Sequence, residues 1–162
     1  MAASTLFATS SISYSGGLLG SAGVGLTISN SYAIGNVSSF SYGSAYSGGL
    51  LGSTDVGLTI SNSYAMSDVS GSCYKNSPPP HVCLVFYGGV IGQGSGTNVS
   101  VYYNDEGASQ AVGTGSSAGI SSKTSNELRQ KNTFIGWDFT NTWAIDSEIN
   151  NGFPYLKNVT KK

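Results

Sequence analysis

The sequence predicts an all-β chain: a parallel β-helix (β-solenoid) of three to four coils, with an aromatic-rich C-terminal cap and one short helix. Three observations predict it. A 32-residue block is written twice, from Tyr14-SGGLLGSAGVGLTISNSYAIGNVSS and again from Tyr46-SGGLLGSTDVGLTISNSYAMSDVSG. Self-similarity at this period belongs to arrays whose units bury their apolar faces only against their neighbours. Within each block the apolar residues alternate, Leu26 with Ile28 and Leu58 with Ile60, in short runs bounded by Gly, Ser and Asn. That is the period of strands. Charged residues make up only 9%, none precedes Asp55, and Gly, Ser, Asn and Tyr fill their share. Leu, Ile, Val and Tyr nevertheless recur at fixed positions, which argues for a packed array over a disordered tract.

Taken in order, Leu6-FATSSIS aligns with Ser31-YAIGNVS as a worn copy, placing Phe7 on Tyr32, Ala8 on Ala33 and Ile12 on Val37. The first full repeat runs from about Tyr14 to Ala45, and the second begins at Tyr46. A proline-rich loop at about 72–84 lengthens the second, and insertions in stacked repeats emerge as loops on one face. The third resumes at Gly88-GVIG and continues through Thr97-NVSVYYN. Stacking predicts columns Leu18/Leu50/Val90 and Ile28/Ile60/Val99, with parallel strands about 4.8 Å apart. The pairs Gly16-Gly17, Gly48-Gly49 and Gly88-Gly89 suit corners that a Cβ would block. Tyr32/Tyr64/Tyr103 and Asn30/Asn62 are expected to form ladders at further corners. Part-buried stacking is the simpler reading of the tyrosines; a ligand-facing row is the alternative.

The tail differs in kind. Residues 1–109 read as repeats, and 110–162 as a connecting segment and C-terminal capping region. Ser122-KTSNELRQKN holds a capping box, Thr124 or Ser125 with Glu127, which predicts the one short helix. Beyond it lie both tryptophans and three of the six phenylalanines. The end of a stack exposes an apolar face and unpaired edges. Phe134, Trp137, Phe139, Trp143, Phe153 and Tyr155 are the expected capping aromatics; a Trp-lined binding pocket is the rival reading.

Cys73 and Cys83 flank YKNSPPPHV. A disulfide closing this stiff loop contributes about 2–3 kcal/mol and implies an oxidising compartment. The alternatives are free thiols or half a metal site, for which one histidine falls short of the usual four zinc ligands. With a net charge of −1 and no basic stripe, phosphate neutralisation is missing, which excludes nucleic acid as a partner class. No apolar run approaches the length of a membrane span. Residues 1–15 lack the basic and apolar regions of a signal peptide. The chain is therefore expected to be a fragment of a longer parent, monomeric as a fragment, with any export signal outside it.

The sequence carries no catalytic pattern and implies no cofactor. His81 sits in the proline loop with no acid near it, so a loop-exposed role fits better than a base. HExxH, P-loop and GxSxG patterns are absent. A glycosidase pair needs two carboxylates, one of raised pKa; none of the eight here is expected to serve, and the chain is expected not to be an enzyme. Acids do not recur at the repeat period, which argues against a calcium array, while a single calcium site near Asp105 stays open. Asn36-Val-Ser, Asn98-Val-Ser and Asn158-Val-Thr match a glycosylation acceptor pattern that an Asn- and Ser-rich chain meets by chance.

The repeated Gly-Gly-Leu-Leu-Gly…Ile-Ser-Asn-Ser-Tyr-Ala-Ile-Gly-Asn-Val-Ser resembles the GLUG motif. It is carried by Gly16, Gly17, Leu18, Gly20, Ile28, Asn30, Ser31, Tyr32, Ala33, Gly35 and Val37, and again by Gly48, Gly49, Leu50, Gly52, Ile60, Asn62, Ser63, Tyr64, Ala65 and Val69. The second copy departs at Ser67. The third keeps Gly88, Gly89, Val90, Gly92 and Tyr103 but loses the Asn-Ser step. Phe134-IGWDFTNTWAI with Gly152-FPYL resembles the close of such arrays. The resemblance covers most of residues 6–157. It implies a β-solenoid stalk or adhesive region of secreted or surface-anchored bacterial proteins, some of them near immunoglobulin A-cleaving proteases. The expected function is a non-catalytic adhesin-like module that is secreted or at the cell surface. The expected partners are a host surface protein or glycan, and the rest of the parent chain. Contact is expected at the Cys73–Cys83 loop through Tyr74, Lys75, Asn76 and His81. The alternatives are carbohydrate binding or cleavage, with Tyr102, Tyr103 and the tryptophans stacking on sugar, or a purely structural spacer.

Overall fold

A computed structural model describes residues 4–7, 12–74 and 83–159. Alternating apolar residues produce short strands, and the glycines, serines and asparagines between them end each one. In chain order these are β1 (Ser4–Phe7), β2 (Ile12–Gly16), β3 (Leu19–Ala22), β4 (Thr27–Ser29), β5 (Tyr32–Ile34) and β6 (Val37–Ser41). The second repeat supplies β7 (Ser44–Gly48), β8 (Leu51–Thr54), β9 (Leu58–Met66) and β10 (Val69–Cys73). Then follow β11 (Leu84–Gly88), β12 (Ile91–Gln93), β13 (Gly96–Asn104), β14 (Val112–Thr114) and β15 (Ile120–Lys123). A separate antiparallel pair joins β16 (Trp143–Ala144) to β17 (Tyr155–Leu156).

Equivalent segments collect into four parallel sheets: β1-β6-β10, β2-β7-β11, β3-β8-β12-β14 and β4-β9-β13-β15, with β5 also on β9. Ile28 opposes Ile60, Leu19 opposes Leu51 and Tyr14 opposes Tyr46. The chain is all-β and its arrangement β-helix-like, each segment lying beside its own copy from the previous layer. Leu50, Leu51, Leu58, Ile60, Val90, Ile91 and Val101 form the interior, each at most 1% exposed. Burying a side chain of this size contributes about 1.5–3 kcal/mol. At the corner, a Cβ on Gly49 would strike the Gly89 carbonyl oxygen and come within 2.7 Å of the Ala65 Cβ. Glycine there is a requirement of the layer spacing.

One backbone feature repeats with the layers. Asn30, Asn62 and Ser100 have φ of 45°, 46° and 53° and occupy one position in successive layers, Asn62 and Ser100 within β9 and β13 and Asn30 between β4 and β5. A left-handed residue turns the strand and breaks its alternation. Ahead of it Leu58 and Ile60 face the core; after it Ala65 stays inside while Tyr64 turns out to a second cluster.

The structure revises several registers. Ile28 and Ile60 pair as expected, but their third partner is Asn98, and Val99 is 53% exposed. The third rung of the tyrosine ladder is Tyr102; Tyr103 opposes Ala65. The turn before β13 is two residues shorter than its counterpart before β9, whereas the pattern Val99-Ser-Val101 suggested a shift of one. An error of one residue exchanges the two faces of a strand. At the other end Phe7 pairs with Phe40, and Ile12 with Ser44, instead of Tyr32 and Val37. The parallel layers also run past residue 109, since β14 and β15 extend two of the sheets to Lys123.

The capping box forms at Thr124, whose Oγ1 accepts the Glu127 N–H at 3.2 Å while its own N–H donates to Glu127 Oε2 at 2.9 Å. No α-helix follows, and none occurs among the described residues. Single 3₁₀ turns span Glu127–Arg129, Lys131–Thr133 and Asn150–Gly152. The Thr133 hydroxyl donates to the Glu127 carbonyl at 2.7 Å, and Leu128 is fully buried, so side-chain anchoring sets this path.

Candidate functional site

The layers bring a group of aromatic side chains to one corner. Strand β10 ends at Cys73, Cys83 directly precedes β11, and a disulfide joins them with the Cα atoms 5.9 Å apart. Such bonds persist in oxidising compartments. The Tyr74 N–H donates to the Ser41 carbonyl at 2.9 Å, which sets Tyr74 above Tyr42 in the next layer. Their rings lie 5.4 Å apart at 53°, and Phe40 meets Tyr42 edge-on at 6.0 Å. Tyr42 and Tyr74 are each 44% exposed, and Leu84 is 42% exposed. On β2, β7 and β11, Tyr14, Tyr46 and Phe86 stack at 5.3 and 5.5 Å. No charged residue occurs in the strands β6, β7, β10 and β11 that build this corner. Lys75, Asn76 and His81, the other expected contact residues, lie outside the described residues. The sequence reading missed Tyr42; its position 32 residues before Tyr74 was the available signal.

The C-terminal aromatics go elsewhere than across the end of the stack. Phe134, Trp137, Trp143 and Phe153 pack laterally on the column Tyr32/Tyr64/Tyr102, with Phe139 partly buried beside them. Tyr155 pairs with Ala144 in the small antiparallel ladder. Tyr64 is fully buried; its hydroxyl donates to the Pro154 carbonyl at 2.7 Å and accepts the Asn150 Nδ2–H at 3.1 Å. Burial drives its pKa far above the usual phenol range. Trp137 Nε1 donates to the Ser100 carbonyl at 3.0 Å, and the Tyr102 hydroxyl accepts the Ile135 N–H at 3.1 Å. The Arg129 guanidinium lies 4.3 Å from the centre of the Phe153 ring. Tyr102, Tyr103, Trp137 and Trp143 are at most 7% exposed, so none offers a face to a sugar ring. The stacking role read for them is thereby corrected: a row of tyrosines on the outer face of a sheet needs cover, and the tail supplies it.

Three carboxylates are held below their ordinary range by local hydrogen bonds. Glu106 is held below the ordinary glutamate range by hydrogen bonds from the Ser125 side chain and N–H. Thr124 does the same to Glu127, and the Asn141 N–H and side chain, with the Thr140 N–H, to Asp138. Asp138 serves as a turn cap, its Oδ1 accepting both N–H groups at 2.9 Å. Among the described residues no three His, Cys, Asp or Glu converge to hold a metal, and Asp105 is exposed in a turn.

Two grooves flank the tyrosine column. One of about 550 Å³ is lined by Gly17, Leu18, Tyr32, Ala33, Ile34, Asn150 and Asn151. The other, about 240 Å³, lies beside Asn36, Asp68, Asn104 and Glu106. Among the described residues no helix is long and apolar enough to cross a membrane.

Neither a family model nor a curated protein matches the chain. Among solved structures it is similar to that of a "putative immunoglobulin A1 protease" from Bacteroides ovatus, with 26% identity and a TM-score of 0.56. The similarity covers 89% of this chain and 42% of that one, so this chain spans less than half the length of the protein it resembles.

Proposed function

We propose that this chain is a non-catalytic β-solenoid module of three to four coils. It acts in adhesion as part of a secreted or surface-exposed bacterial protein of the GLUG-repeat kind. The stacked layers make a stiff support, and the Cys73–Cys83 corner makes the contact. The observation that carries this reading is the exposed Tyr42–Tyr74 pair beside the disulfide, at a corner built from strands that hold no charged residue. Rings already packed against each other lose little freedom when a partner covers them, and tyrosine is effective in recognition surfaces for that reason. An exposed aromatic pair of this kind suits a host glycan or an apolar patch of a host surface protein.

Replacing residues 74–82 with a Gly-Ser linker, and separately Tyr42→Ala, tests the reading in adhesion assays on host cells, matrix proteins and a glycan array. Each change is expected to cut binding at least tenfold while the β signal in circular dichroism persists. Unchanged adhesion by both variants overturns the contact site.

A second reading is favoured by the likeness to the Bacteroides ovatus protein. Under it the module is the accessory part of a longer protein directed at immunoglobulin A1. Including immunoglobulin A1 in the same assay separates the two: retention of that protein alone, without cleavage, selects the second.

A further inference from the structure

We propose that the corner where β5 leads into β6, and β9 into β10, is a divalent-cation site whose ligand is calcium. Backbone pairing stacks this corner in layers. The Val37 N–H donates to the Asp68 carbonyl at 2.9 Å, and the Val69 N–H to the Gly107 carbonyl at 3.0 Å. Asn36 therefore lies beside Asp68, and Asp68 beside Gly107, which Glu106 precedes in the chain. Two carboxylates thus occupy neighbouring layers, which parallel strands hold about 4.8 Å apart. Among the described residues neither forms an ion pair. Like charges in adjacent layers repel, and a cation held between them turns that repulsion into attraction.

An acidic pair alone is a solvated surface. What marks a ligand here is Ser67. It lines the same groove, it is only 6% exposed, and its Oγ has no hydrogen-bond partner. A buried hydroxyl left without a partner is costly, and a cation is a partner for its lone pairs. The stacking does not demand this serine, because the equivalent position one repeat earlier is Gly35. The second repeat brings the hydroxyl and the carboxylate together, Ser67-Asp68 standing where the first has Gly35-Asn36. Gly107 keeps the space beside them clear. A Cβ there would come within 3.0 Å of Asp68 Oδ1 and collide with the Ser67 carbonyl oxygen.

The chemistry of the donors selects the ion. Asp68, Glu106, Ser67, Asn36 and Asn104 offer only oxygens as ligands around a groove of about 240 Å³. That volume takes a cation and several of its waters. Calcium accepts 6–8 oxygens in flexible geometry, whereas magnesium demands a near-ideal octahedron. With no thiolate or imidazole in the groove, zinc and copper are poorly served. Among the described residues no third carboxylate joins the two, so neutral oxygens and water complete the shell. The donors are also held in place. Asn104 Oδ1 accepts the Gly107 N–H at 3.0 Å, its Nδ2 donates to Ser125 Oγ at 2.9 Å, and the Ser125 hydroxyl donates to Glu106. The Arg129 guanidinium, the cation that acts on Glu106, is turned to the Phe153 ring and the Asn151 carbonyl.

Calorimetric titration of the whole chain with calcium, and separately with magnesium, reads the affinity, and amide hydrogen exchange by mass spectrometry locates it. Calcium is expected to bind with a Kd of about 10⁻⁴–10⁻³ M, the range of extracellular modules, and magnesium at least tenfold more weakly. Exchange is expected to slow across Met66–Val69 and Asn104–Ala108. Asp68→Asn and Glu106→Gln are each expected to weaken calcium at least tenfold, while Asp55→Asn, outside the groove, leaves it unchanged. Ser67→Ala separates a ligand from a structural residue. It should weaken calcium and also raise the melting temperature of the calcium-free chain, because an unpartnered buried hydroxyl is removed. No heat and no change in exchange up to about 10 mM calcium, well above the weakest extracellular sites, overturns the proposal. So does undiminished affinity in Asp68→Asn or in Ser67→Ala. The disulfide corner lies at the far ends of β6 and β10, and the adhesive reading can fail without affecting this site.

Discussion

Asn30, Asn62 and Ser100 are where single residues decide the course of the chain. Left-handed backbone costs an ordinary L-residue about 1–2 kcal/mol, costs glycine little, and is tolerated by asparagine. Asn62→Ala should therefore destabilise by about 1 kcal/mol in urea unfolding, while Asn62→Gly should cost far less. Equal losses would mean that a side-chain contact of Asn62, and not its backbone, is what matters. The recurrence of asparagine in both full repeats was legible as a corner. Its consequence was not, because a period-two pattern cannot show where the period is interrupted. Val99 was placed in the core for that reason, when Asn98 takes the position and donates to the Ala118 carbonyl at 2.9 Å.

Among the elements, the tail is held to the layers through one ladder of tyrosines. Tyr64 stacks with Tyr32 and contacts Phe134, Trp137 and Trp143 with ring centres 6.2 Å away. Its hydroxyl is the buried polar link to Pro154 and Asn150. Tyr64→Phe removes that link and should cost about 1–2 kcal/mol, while Tyr64→Ala also opens a cavity and should cost about 3–5 kcal/mol. Proteolysis should then attack residues 127–157 before the layered strands. Simultaneous loss of both would contradict a tail docked on a preformed sheet. The aromatic weight of Phe134, Trp137 and Trp143 was plain in the sequence, but its destination was not. Composition reports that apolar surface must be covered, not which surface receives it. The disulfide was legible because two cysteines flank a short insertion. Tyr42 was overlooked because its partner Tyr74 belongs to the inserted loop, where the repeat is hard to follow.

For the molecule as a whole, the 32-residue period carried most of the architecture: parallel pairing, the leucine and isoleucine columns, and glycine at the corners. The shorter third and fourth layers were harder to read, since two-residue deletions and the 19–21-residue spacing to β14 and β15 erase the periodic signal. Every functional statement depends on consecutive copies lying in register. Disulfide trapping tests that register most directly, with Thr27→Cys paired with Thr59→Cys, and Thr27→Cys paired with Ser61→Cys as the offset control. Thr27 opposes Thr59 across parallel strands, at the spacing of about 4.8 Å that a disulfide accepts; the offset pair lies about 8 Å apart, beyond its reach. Rapid formation of the 27–59 bond with little 27–61 product is the predicted result. Failure of the 27–59 bond to form, or equal yields of both, would contradict the layered register.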